Sequence, residues 1–179
     1  MRKAIVLLSF IMISTVAMAG TKVFNLSLTP DIAIQDRGDT IKGLTLSVWG
    51  ENEQTSLALG FVNGSTGDSA GLSLGFIMNY AENYKGVQWA WINYASGDFL
   101  GWQSGIVNYV EDSMKGLQTG WLNYAGQLTG LQFGLVNYAE NADSGVQIGF
   151  LNFIRSNKDW FSALPEELAP GMIFVNWGF

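Results

Sequence analysis

A nine-residue unit repeated in tandem constrains this chain more than any other feature. A unit that short cannot bury its apolar side chains alone, so it must pair with or stack on its neighbours. The clearest copies occupy 86–94, 101–109, 116–124, 130–138 and 145–153, with the consensus Gly-φ-Gln-x-Gly-φ-φ-Asn-Tyr, φ being apolar. The leading glycines Gly71, Gly86, Gly101, Gly116, Gly130 and Gly145 stand 15, 15, 15, 14 and 15 residues apart. Degenerate copies precede them at 43–50, 56–63 and 71–80, the last with one extra residue, and a final copy at 173–179 follows a longer insert.

Each copy alternates with a period of two. In the 130–138 copy one face carries Leu131, Phe133, Leu135 and Asn137, and the other carries Gly130, Gln132, Gly134, Val136 and Tyr138. Alternation over nine or ten residues, with β-branched and aromatic enrichment, predicts strand rather than helix. Between Gly43 and Ile154 every charged residue falls between the strand segments, among Gly, Asn, Asp and Ser that suit tight turns. Ten strands are predicted, at about 23–34, 41–50, 55–63, 70–80, 86–95, 101–110, 116–125, 130–139, 145–154 and 171–179.

Ten strands joined by short loops read as an antiparallel up-and-down meander. A flat meander would leave two open edges and a wholly apolar face, and closing it removes both edges. A soluble barrel of about ten strands has little room for so many Trp and Phe inside. A transmembrane β-barrel turns them toward lipid and keeps Gly, Gln and Tyr within. Strands of nine to ten residues match a tilted transmembrane strand. The principal expectation is therefore an all-β, closed transmembrane β-barrel. Its last strand, with Ile173, Val175, Trp177 and the terminal Phe179, looks like the C-terminal signal read by the outer-membrane insertion machinery. An even strand count makes the longest link, 155–170, extracellular. One parity conflict stands: aligning Asn176 with the repeat Asn puts Val175, Trp177 and Phe179 on the interior face. The rival is a β-solenoid or open repeat sheet, where identical Asn and Gln positions stack as ladders in parallel register. It explains repeat fidelity better, but needs corners inside an alternating nine-residue stretch.

The first twenty residues read as an address. Arg2 and Lys3 precede an apolar run from Ala4 to Val16, and Ala17-Met18-Ala19 supplies a small-x-small cleavage site, the pattern of a secretory signal peptide. The predicted division is 1–19 signal peptide and 20–179 β-repeat domain. Losing Arg2 and Lys3 moves the formal net charge from −6 to −8, which argues against a nucleic-acid partner. No later stretch approaches the length of an apolar spanning helix.

The tandem Gly-φ-Gln-x-Gly-φ-φ-Asn-Tyr copies and the closing Asn176-Trp177-Gly178-Phe179 resemble a family of bacterial surface-repeat proteins found in spirochaetes and other diderm bacteria. The resemblance covers about 43–179 and is closest over 86–153. It implies an envelope location and carries no catalytic residues. Some family members look like lipoproteins, but the Cys that such anchoring requires is missing here.

The chain has no Cys and no His, which excludes disulfides, Cys nucleophiles, thiolate or imidazole metal sites and His acid–base chemistry. Glu166 and Glu167 are adjacent and suit a solvated loop better than a catalytic carboxylate pair. Asp36-Arg37-Gly38-Asp39 reads as an outer hairpin loop without a calcium ligand ladder. Gln88, Gln103, Gln118, Gln132 and Gln147 would line a pore or, better, plug a narrow barrel. Trp160 and Phe161 are candidates for an exposed contact. No catalytic, cofactor-binding or metal-binding residue is assigned. The expected partners are outer-membrane lipids, the insertion machinery and an extracellular partner of unknown kind. The leading functional expectation is a structural or surface-interaction barrel without catalysis. The alternatives are a narrow channel, or a soluble secreted or periplasmic β-repeat module that binds through its aromatic face.

Overall fold

A computed structural model describes residues 20–158 and 160–179, so the expected signal peptide lies outside the described residues. The described chain is all-β: β1 (Thr21–Thr29), β2 (Ile32–Ala33), β3 (Thr40–Asn52), β4 (Thr55–Trp89), β5 (Ile92–Ala95), β6 (Phe99–Ser104), β7 (Val107–Ile154) and β8 (Gly171–Gly178). The 35 residues of β4 and 48 of β7 are far too long for straight strands. They wind continuously around corners, and the molecule is a β-solenoid of about seven turns.

This corrects the barrel. Each repeat is most of one coil rather than one strand of a meander, and the coils pair in parallel. Gly86 lies against Gly101 and Gln88 against Gln103. Gly101 then meets Gly116, and Asn93 meets Asn108. The earlier coils follow the same rule, with Leu44 beside Leu57 and Gly50 beside Asn63. Parallel stacking puts each residue next to its equivalent one repeat away, which an antiparallel meander cannot do.

The corner that the alternation seemed to forbid lies in mid-repeat. Gln103 and Asn108 are both fully buried. Five residues apart, they would point to opposite faces of a straight strand. A bend at Gly105 and Ile106 resets the phase. In the next coil the reset shows as two successive exposed residues, Trp121 and Leu122. Gly105 is small because the coil beneath is close: a Cβ there would overlap the Ala90 carbonyl oxygen.

A second corner is set by the leading glycines. Gly71, Gly86, Gly101, Gly116 and Gly130 have φ between 122° and 141°, where side chains are strained. A Cβ on Gly101 would also overlap the Gly86 carbonyl oxygen, and the same clash recurs up the column.

The interior has two parts. The wider part, beside the loops, is apolar: Ala81, Ala95, Val110, Ala125, Ala139 and Ile154 pack against Tyr84, Phe99, Met114 and Leu128. The narrower part, between the two repeat arms, is polar and filled by amide ladders. Gln103, Gln118, Gln132 and Gln147 each donate Nε2 to the Oε1 of the Gln one coil back, at 2.8–3.0 Å. Asn63, Asn79, Asn93, Asn108, Asn123 and Asn137 donate Nδ2 the other way, to the Oδ1 of the Asn one coil on, at 2.7–3.0 Å. The two ladders therefore run in opposite directions. Gln118, Gln132 and Gln147 also reach across the coil to the Tyr124, Tyr138 and Phe153 carbonyls. The glutamines thus neither line a pore nor plug a barrel; they tie the two arms of each coil together.

Each end carries an antiparallel segment, short at the start and long at the finish. At the start, β2 folds back antiparallel on β1, with Ser27 against Ala33. At the finish, β8 runs antiparallel along the last coil, with Asn176 against Gln147. Residues 173–179 are thus a lid and not a tenth barrel strand, which removes the parity conflict. Asn176 is buried and donates to the Ala169 carbonyl at 2.8 Å. Ile173, Val175 and Phe179 face out, and Trp177 is half-buried. Likewise 155–170 is the connection into the lid rather than an extracellular barrel loop; Asn157 pins it by donating to the Ala169 and Trp177 carbonyls. Asp36 to Asp39 link the first two coils, where Asp39 accepts from the Gly20 amide at 2.7 Å.

Candidate interaction surface

With the amides inside, the large apolar side chains point outward. Each coil presents two arms that meet at the mid-repeat corner. The first arm, just after the leading glycine, carries pairs such as Leu72 and Leu74, Val87 and Trp89, or Leu131 and Phe133. The corner carries one bulky residue per coil. Phe61 (51% exposed), Phe76 (56%), Trp91 (53%), Trp121 (63%) and Phe150 (62%) lie along this ridge. Phe61 and Phe76 meet edge-on at 5.7 Å, and Phe76 and Trp91 are 5.1 Å apart. The second arm carries Ile92, Val107, Leu122 and Val136 in stacked register. From each leading glycine to its Asn, no residue of any coil is charged.

This apolar wedge has two distinct borders. On the second arm, beyond the Asn ladder, Tyr94, Tyr109, Tyr124 and Tyr138 stack ring on ring at 4.3–5.7 Å. Their hydroxyls reach the acidic loops: Tyr94 donates to Glu111 at 3.0 Å and Tyr138 to Glu140 at 3.3 Å. Tyr80 donates to Glu51 and accepts from the Trp49 indole at 2.9 Å. Burial first, and then Glu51, push Tyr80 up to about 12; burial and the neighbouring Tyr109 do the same for Tyr124. The Glu111 carboxylate raises Tyr94 as well. On the other border, Lys42, Lys85 and Lys115 occupy the position before the glycine column, with Leu100 between the last two.

The remaining edge of the coil is the acidic loop side, with Asp68, Glu82, Asp98, Glu111, Asp112 and Glu140. Arg155 bonds Glu140 at 2.6 Å and holds its carboxyl below the usual range. The pair is exposed and adds little stability. Glu166 and Glu167 lie in the lid connection. Glu167 accepts from the Lys158 backbone amide at 3.3 Å. Among the described residues no group of three or more Asp or Glu is placed to hold a metal ion, and no helix is long and apolar enough to cross a membrane.

Trp160 and Phe161 are both exposed, as the sequence suggested. They stand over an apolar groove with Leu151, Phe153, Met172 and Ile173, at the lid end of the solenoid. Sequence reasoning missed the ridge as a single feature, because it divided the corner residues between two faces of a flat strand. The available signal was the small residue at mid-repeat followed by two bulky apolar ones: Gly75-Phe76-Ile77, Ala90-Trp91-Ile92, Gly120-Trp121-Leu122 and Gly149-Phe150-Leu151. No protein-family model, curated protein or solved structure matches the chain.

Proposed function

We propose that this chain is an extracytoplasmic, non-catalytic β-repeat module of the bacterial envelope or cell surface that binds a partner through its outward aromatic face. The observation that carries this is the inversion of the coil, with amides inside and an uncharged, largely apolar and aromatic wedge outside. Contiguous apolar surface of that size on a soluble protein marks an interaction site. The amino-terminal pattern and the surface-repeat resemblance support a location outside the cytoplasm. The absence of His and Cys and the placement of the carboxylates in solvated loops support a binding role over catalysis.

Fractionation of a diderm bacterium expressing the full chain tests this. The expected result is processing at Ala19, read by mass spectrometry, with the mature protein in the envelope, periplasm or medium. Its gel mobility should not change on boiling, since there is no closed barrel to melt. Unprocessed protein retained in the cytoplasm would overturn the proposal.

A further inference from the structure

We infer that the partner surface is a lipid leaflet, into which the solenoid inserts its ridge while lying with its axis in the membrane plane. This deepens the binding role proposed above and rests on it.

Shape comes first. The apolar surface is convex, with a ridge at Phe76, Trp91 and Trp121 and an apolar arm falling away on each side. A second copy, or any rigid protein with a flat face, would cover one arm and leave the other wet. Lipid chains are deformable and cover both.

The borders are the second observation. One shoulder carries the stacked tyrosines, whose rings adjoin the apolar arm and whose hydroxyls meet carboxylates. The other carries Lys42, Lys85 and Lys115 beside the glycine column. Tyr and Lys are the side chains that suit the headgroup level, one by its amphipathic ring and the other by a long stem ending in a cation that phosphate accepts. The acidic loops sit on the far side of both shoulders, where they remain in water.

The dimensions agree. An arm of four residues reaches at most ~13 Å, within the ~15 Å depth of one leaflet's hydrocarbon. The coil also meets the main requirement of immersion, which is that backbone groups be satisfied internally. Parallel pairing bonds the arms of the interior coils to the coils on both sides, β8 pairs along the last coil, and β2 pairs the end of β1. Polar inside and apolar outside is the arrangement of lipid-facing proteins.

The test is flotation of the protein purified after processing at Ala19 with phosphatidylcholine vesicles, with and without phosphatidylglycerol. A Phe76→Thr, Trp91→Thr, Trp121→Thr variant is compared with an Asp112→Asn control on the loop side. The wild type is expected to float, and its tryptophan emission to be quenched by chain-brominated lipid, a readout that needs no variant. The ridge variant should lose at least ~tenfold in partitioning, since three aromatic side chains no longer leave water, while the control matches the wild type. Flotation that survives the ridge substitutions overturns the inference, because something else then holds the chain on the vesicle. Failure to float also overturns it, and sedimentation separates two cases. A wild-type dimer that the ridge variant converts to monomer makes the ridge an interface between copies and leaves the binding role standing. A wild-type monomer indistinguishable from the ridge variant removes both.

Discussion

Single side chains in this solenoid are judged by the column they stand in. Gln118 sits in mid-ladder: it donates to Gln103 and the Tyr124 carbonyl and accepts from Gln132. Gln118→Leu strands buried polar atoms in three places, and about 3 kcal/mol of stability should be lost in urea unfolding. Gln88 ends its ladder, with its Nε2 unpartnered because Ser73 occupies the column below. Gln88→Leu should therefore cost distinctly less in the same measurement. Tyr84 is the complementary case. It stacks on Phe99 at 5.9 Å, buried among apolar neighbours, and its hydroxyl has no partner. Tyr84→Phe should be neutral or stabilising by up to about 1 kcal/mol. Burial raises the Tyr84 phenol above its ordinary value of 10.0. The folded state therefore keeps the proton where the unfolded chain releases it, so stability is complete below pH 10 and falls as the pH rises above it. Urea midpoints followed upward from neutral pH should show that alkaline fall shallower in Tyr84→Phe than in the wild type.

At the scale of the element, the decisive choice is where the chain turns. Gly101→Ala combines a forbidden φ with overlap of the Gly86 carbonyl, and it should cost about 3 kcal/mol or more. Gly38→Ala, in an open loop with nothing near its Cβ, should leave the melting temperature unchanged. Circular dichroism on the two variants checks both. The all-β character and the repeats were legible in the sequence, because period-two alternation is a local signal; the segments read as loops, such as 111–115 and 126–129, instead run on as part of β7. The parallel direction of pairing was not legible. Gln103 and Asn108 have opposite parity, which a straight strand must read as opposite faces, and only the bend at Gly105 brings both inside. The identity of Asn79, Asn93, Asn108 and Asn123 from coil to coil was the better guide, since like amides bond best when stacked in parallel. Asn176 misled for a related reason: it resembles a repeat residue, yet belongs to a strand running the opposite way.

At the scale of the whole molecule, stability is a sum of similar coils and the contacts between neighbours. Deleting 101–115 brings Gly86 against Gly116, Gln88 against Gln118 and Asn93 against Asn123, so every column is preserved. That shortened chain should fold with the same β signature and a lower melting temperature. Deleting 101–107 instead breaks the register of every column it crosses and should give no cooperative melt. The binding surface is a property at this scale too. Phe76, Trp91 or Phe150 alone is an unremarked exposed residue; repetition makes a ridge of them. The sequence shows the members of that ridge, but their assembly depends on the coil geometry.

The opposed directions of the two amide ladders carry one more consequence. An α-helix adds its peptide dipoles head to tail and ends in two charged poles. Here the Gln donors point toward the first coil and the Asn donors toward the last, so the side-chain contributions oppose each other. Sheet backbones add only small net dipoles. Along its axis the rod is therefore only weakly polar, four Gln bonds offsetting most of six Asn bonds. Its asymmetry lies crosswise, from an uncharged keel to an anionic deck, and any field or surface that orients the molecule acts by rolling it about its long axis.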